Sequence, residues 1–222
     1  MSMGIRGGWT IRQVVSRRAG LEDFGPLKIA YADELALQSM DPLMVPTFSF
    51  LDLHHRHPGI TCALAACLGE AARVCLERHH SPPVKFLIDN SGVPGEVTAR
   101  WEPCDERARR AWANDIDATE YAAYCLALAA VEVAAGLVAV GRAETSAGAD
   151  YYLGLPSDDL DDFEFCYRLE VSGVDRGGLA EIRSRLRSKI SQAARTESNV
   201  PAIASVVGLA IKIVILKEVQ PT

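Results

Sequence analysis

Residues 144–173 read Glu144-Thr-Ser-Ala-Gly-Ala-Asp150-Tyr-Tyr-Leu-Gly154, an acidic turn Ser157-Asp-Asp-Leu-Asp-Asp162, then Phe163-Glu-Phe-Cys-Tyr-Arg-Leu-Glu170-Val-Ser-Gly173. Two aromatic, β-prone runs flank a polar loop, the pattern of a hairpin with a long connection. Each run carries one carboxylate that hydrophobic patterning does not explain, Asp150 opening the first and Glu170 near the end of the second. Pairing the strands brings both within reach of one divalent cation. The competing reading makes Asp150 a turn or cap residue and Glu170 a surface acid on an edge strand.

Outward from this stretch, residues 105–142 read as helical in two pieces. The charged first piece spans Asp105–Ala113, and the second, Asp117–Arg142, is apolar on nearly every face. Glu132 sits inside the apolar run and alanine outnumbers leucine, so the spacing predicts a helix buried in the fold rather than a membrane span. Gly136 and Gly141 would permit close backbone approach near its end. Asp175–Thr196 is predicted helical and basic, with Arg183, Arg185, Arg187, Lys189 and Arg195 against Glu181. Ile203–Leu209 and Lys212–Val219 follow as a strand pair.

Upstream, Thr61–His80 is a helix capped by Thr61, with Leu64, Cys67, Leu68, Ala71, Ala72, Cys75 and Leu76 on one face. His79-His80 then close it at its negative end. Val84–Asp89 and Glu96–Glu102 form strands around the turn Asn90-Ser-Gly92. Phe48-Ser-Phe50 is a short strand, Lys28–Gln38 a short helix, and residues 1–25 show weak periodicity suited to a mobile segment. His54-His55-Arg56-His57 reads as a solvated loop rather than a transition-metal site, since adjacent histidines on an irregular segment diverge. Asp158–Asp162 lacks the glycine and terminal glutamate of a calcium loop.

The chain has 222 residues, 49% hydrophobic and 23% charged, with a net charge of −6. That length suits a single domain, with residues 1–104 as an N-terminal extension of helix and strands and 105–222 as the core. The acidic balance argues against a nucleic-acid binder using its whole surface, though not against a local basic strip. Six cysteines without a CxxC pair, and a start lacking a secretory pattern, point to reduced thiols in a cytoplasmic protein without a membrane partner. No GxxxxGK[ST], GxSxG or GxGxxG occurs, which leaves P-loop, α/β-hydrolase and dinucleotide chemistry unsupported. The fold class expected is α+β: a central mixed sheet flanked by a long buried helix and a basic helix.

The order helix, strand, strand, helix, strand over residues 117–219 resembles the core of the PD-(D/E)XK, or restriction-endonuclease-like, nuclease superfamily. Asp150 on one strand and Glu170 on the next match that superfamily's acids, and Ser172 stands where its motif has lysine. The blocks Gly148-Ala-Asp-Tyr-Tyr-Leu-Gly154 and Arg168-Leu-Glu-Val-Ser-Gly173 also resemble uncharacterised bacterial proteins sharing GxDYxLG and RLEVSG, a likeness that carries no activity. The superfamily resemblance implies a Mg²⁺- or Mn²⁺-dependent nuclease, in a prokaryotic defence or mobile-element setting. It gives Asp150, Glu170 and Glu144 as metal ligands, the last as the helix-borne glutamate of some members, with the Val171 carbonyl beside them. On the same resemblance, Lys189 would substitute for the displaced lysine, a residue that migrates in this superfamily, and Gln192 would orient a water. Arg183 and Arg187 would track a phosphate backbone; a solvent-facing helix flank is the alternative for them. The missing lysine and the acidic net charge favour a second reading, a catalytically inactive member of the fold serving as a protein-interaction or assembly subunit, or a homo-oligomer.

Overall fold

The computed structural model describes residues 47–145, 148–156, 166–195 and 200–220, all within one compact unit, Pro46–Thr222. The expected helix at Lys28–Gln38, the segment 1–25 and the acidic turn Asp158–Asp162 lie outside the described residues. The architecture is mixed α/β, built on one eight-stranded mixed sheet.

In chain order the elements are β1 (Thr47–Phe48), a 3-10 turn (Leu53–His55), α1 (Cys62–Glu77), β2 (Val84–Asn90), β3 (Val93–Ala99) and α2 (Glu106–Ala111). There follow α3 (Asp115–Ala135), β4 (Val138–Arg142), β5 (Tyr151–Gly154), β6 (Tyr167–Val174), α4 (Leu179–Arg195), β7 (Ala202–Gly208) and β8 (Ile213–Val219). The sheet runs β1-β3-β2-β8-β7-β6-β5-β4. The hairpins β4-β5, β5-β6, β7-β8 and β2-β3 are antiparallel, while β6-β7, β2-β8 and β1-β3 are parallel. The β2–β3 pair thus extends the sheet across β8. Ser91 and Gly92, both at positive φ, make the tight turn between β2 and β3.

Local signals explain the helices. The Thr61 side chain accepts from the Leu64 N–H, Asp105 from Ala108, and Asn114 from Ile116, so α1, α2 and α3 each have a polar residue satisfying a first orphan donor. The alanines of α3 present a thin ridge, and Ala122 to Val131 are buried against α1 and the sheet. Among the described residues α3 alone is long and apolar enough to cross a membrane, and 61% of its most apolar window is buried in the fold.

The helix ends earlier than its composition suggests. Gly136, at φ 65°, caps it in the left-handed conformation, and its N–H returns to the Glu132 carbonyl. Val138–Arg142, expected as the last turns of the helix, is an edge strand instead. A continuous apolar run has no period to distinguish the two states, so Leu137–Val140 carries no warning of the change. Gly141 has open space where a Cβ would stand; the close backbone approach at this strand is made by Gly59, whose Cβ would meet the backbone of Val140 and Gly141.

The histidine cluster is also not the solvated loop expected. His57 is fully buried, and its Nδ1 accepts the Ala139 N–H at 2.9 Å. The neutral ring therefore carries its proton on Nε2, which lies 3.2 Å from Glu132. Arg56 donates to the same carboxylate at 2.7 Å. Together these contacts tie the end of α3 to β4. Burial alone would raise the Glu132 carboxyl, but hydrogen bonds from His57 and Arg56 outweigh it and hold it below its ordinary 4.5. A depressed carboxyl contributes stability above its unfolded value and loses it as pH falls through the folded one. Glu132→Gln should therefore cost about 1 kcal/mol at neutral pH. In urea titrations its deficit against wild type should shrink progressively once pH drops below that ordinary value. A deficit independent of pH would mean that charge plays no part.

Candidate functional site

β5 has four residues and β6 has eight, and this mismatch opens a cleft. The chain joins β5 at Asp150, whose N–H bonds the Leu169 carbonyl at 2.8 Å. Beyond that point the outer edge of β6, Val171–Gly173, has no neighbouring strand among the described residues and forms the floor. One wall is the N-terminal half of α3, from Asp115 to Tyr124; the other is the face of α4 bearing Arg185, Ser188, Lys189 and Gln192. The open cleft has a volume of about 640 Å³.

Strand alternation sends neighbouring β6 residues to opposite helices. A Cβ on Gly173 would stand 2.7 Å from Thr119 of α3, whereas Val174 packs on Ile182 of α4. Glu170 shares the parity of Val174 and faces α4. It is 3% exposed, and its carboxylate takes Lys189 Nζ at 2.8 Å and Gln192 Nε2 at 3.1 Å. Burial pushes the Glu170 carboxyl up; Lys189 opposes that shift, and the nearby Asp150 charge adds to it. Arg168, two residues earlier and also buried, donates to the Val200 and Ala193 carbonyls, which holds the end of α4 in register with β6.

Asp150 is engaged from the α3 side. Its Oδ2 accepts the Val171 N–H at 2.8 Å, and its Oδ1 accepts from the Tyr124 hydroxyl at 2.9 Å. The same hydroxyl lies 2.8 Å from Glu120 Oε1. A phenol has one proton to give, so two carboxylates here share a single donor. Burial, with the Asp150 and Glu120 charges added, pushes the Tyr124 phenol well up and keeps it protonated. The ring is fixed by an edge contact with Tyr151 at 5.7 Å, and the Arg142 guanidinium lies 4.6 Å and 4.5 Å from the two ring centres. Because Val171 gives its N–H to Asp150, its carbonyl points to the same outer edge of β6, in the plane of the sheet.

Asp150, Lys189 and Gln192 thus line one cleft, with Glu170 directly behind Lys189 and Gln192. Glu170 is buried on an interior strand rather than being a surface acid on an edge strand, and Asp150, at the bend before β5, joins two elements across the cleft edge. Glu144 is not brought there. It is exposed, follows β4 rather than a helix, and takes the Tyr152 hydroxyl at 3.2 Å. Arg183 and Arg187 are exposed on a flank of α4 outside the cleft lining. At 100° per residue they lie roughly opposite the Arg185–Lys189 face.

Glu120 and Tyr124 were not foreseen from the sequence, although their i, i+4 spacing on a predicted helix was a usable signal. At the far end of the cleft Asp175 pairs with His79 at 2.8 Å, and Asp115 pairs with Arg78 at 3.0 Å. No group of three or more His, Cys, Asp and Glu side chains able to hold a metal ion occurs among the described residues. The donors in the cleft are the hard oxygens of Glu120, Asp150 and the Val171 carbonyl, a set of the chemical type that suits Mg²⁺ or Mn²⁺.

No family model matches the chain, no curated protein matches its sequence, and no solved structure matches its fold.

Proposed function

We propose that this protein is a metal-dependent, nuclease-like hydrolase of nucleic-acid phosphodiesters with a restriction-endonuclease-like core. The observation that carries the reading is Lys189 Nζ, 2.8 Å from Glu170 and lining the same cleft as Asp150. Ser172 occupies the position where the superfamily motif has lysine, and Lys189 brings a cation to that acid from the adjacent helix. Asp150, Glu120 and the Val171 carbonyl would hold Mg²⁺ or Mn²⁺, with Glu120 taking the part expected of Glu144. The chemistry such a cation supplies when bound is a lowered pKa for water and an offset of phosphate charge. Lys189 is placed to stabilise charge on the reacting phosphate, and Gln192 to orient the attacking water. Tyr124 holds Asp150 and Glu120 together while its own proton stays in place.

Thermal melts with Mg²⁺ or Mn²⁺ test the metal site. A ligand at about 100 times its Kd adds roughly 2.7 kcal/mol, or about 5 °C or more for a chain this size. Asp150→Asn, which keeps an acceptor for the Val171 N–H, should remove that gain. No gain in the wild-type protein would sink the metal site.

A second reading, the catalytically inactive subunit, is favoured by a different observation. Both Glu170 oxygens are already taken by Lys189 and Gln192, the arrangement of a structural ion pair. Binding of nucleic acid without any cleavage would select it.

A further inference from the structure

The charged residues lining the cleft are not alike. Asp115 pairs with Arg78, Asp175 with His79, Glu120 and Asp150 share the Tyr124 hydroxyl, and Lys189 holds Glu170. Arg185 alone among these lining charges has no hydrogen bond or ion pair among the described residues. Its position makes that informative. It precedes Lys189 by one helical turn, about 6 Å along the axis, on the same face. Four carboxylates line the cleft, yet the guanidinium has settled on none of them. A cation placed to neutralise those acids would be paired with one.

From this we infer that Arg185 binds a phosphate of a nucleic-acid strand lying along α4, one turn from the phosphate that faces Lys189. The inference rests on the nucleic-acid reading above and moves phosphate recognition from Arg183 and Arg187 to the cleft wall. The chemistry fits the residue. A guanidinium presents five donors in a planar fork that matches phosphate oxygens and carries its charge at any working pH. The two walls also divide the labour by sign: Glu120 on α3 and Asp150 just before β5 for a cation, Arg185 and Lys189 on α4 for the strand. One turn of helix is roughly the spacing of neighbouring phosphates along one strand. Contacts of this kind hold a strand in register and carry no base information, so the site should be indifferent to sequence.

The test uses fluorescence anisotropy with a labelled single-stranded DNA of about 12 nucleotides. It is run in EDTA across a salt series, on wild type, Arg185→Gln and Arg187→Gln. Both arginines are exposed and have no hydrogen bond or ion pair among the described residues, so both variants should fold as wild type. Arg185→Gln should weaken binding about tenfold and reduce the log–log salt slope by roughly 0.7, the value for one contact to a single strand. Arg187→Gln should match wild type. Equal losses in both variants, or none in Arg185→Gln, would overturn the assignment.

Cleavage of the same oligonucleotide with Mg²⁺ separates this inference from the function it rests on. If Arg185→Gln weakens binding while the wild type cleaves nothing, the phosphate site stands and the nuclease reading falls. Cleavage by the wild type that Arg185→Gln neither binds nor cuts differently has the reverse meaning. A wild-type protein that binds no oligonucleotide at low salt removes both.

Discussion

Lys189→Met is expected to lower metal-dependent cleavage about a hundredfold to a thousandfold, the usual cost of deleting one group that stabilises transition-state charge. Affinity for the oligonucleotide should change far less, because one phosphate contact among several is lost. The variant has a second signature. Lys189 holds the Glu170 carboxyl down against burial; without it the carboxyl moves further up. The folded state then binds that proton more tightly than the unfolded chain, and stability falls as pH rises through the window above the unfolded value. Denaturation of Lys189→Met should therefore become easier as pH rises above the ordinary carboxylate value, more so than for wild type. Lys189→Gln supplies a neutral donor to Glu170 and is the companion variant if methionine compromises folding. Restored folding with cleavage still lost separates catalysis from structure. Full cleavage by a well-folded Lys189→Gln would remove Lys189 from the proposed machinery.

Ala130→Leu should destabilise the protein by about 1–3 kcal/mol, towards the upper end of that range. Ala130 is 0% exposed, in the middle of a helix whose neighbours from Ala122 to Val131 are buried on all sides. Three extra carbons there have no surface to escape to, so either α3 lifts from the sheet or α1 moves away from α3. Because Glu120 and Tyr124 ride on the same helix, lifting it should also loosen the contact to Asp150. Urea denaturation measures the loss, and a wild-type midpoint with an unchanged slope would show that the packing against α3 is loose. Val133→Leu is the control: Val133 is on the same helix but 42% exposed, and its substitution should stay near neutral.

The central hairpin was legible because it needs only local information. Aromatic, β-prone runs on either side of a polar loop pair with each other, and that pairing sets Asp150 opposite Glu170 whatever surrounds them. Lys189 and Gln192 are singled out through the superfamily resemblance rather than from local pattern. In the structure Ile182, Leu186, Ile190 and Ala193 form the core face of their helix, which turns Lys189 and Gln192 towards Glu170. The strand that replaces the end of the long helix was not legible, since Leu137–Val140 is apolar without a period and Gly136 is the sole stop signal. His57 gave no sign of burial either. Its partners, Glu132 and the Ala139 N–H, lie 75 and 82 residues away in the chain.

What the sequence determined by itself is therefore the set of elements with a clear period, their caps, and the two acids that one hairpin aligns. Tertiary structure decided which acid of α3 reaches Asp150, that Glu144 stays outside, and that Arg185 rather than Arg183 or Arg187 faces the cleft. Each of those depends on how a helix is rotated and seated on the sheet. That rotation is set by contacts such as Gly173 against Thr119 and Val174 against Ile182. A helix with alanine on every side, like α3, carries no stripe from which its own rotation could be read.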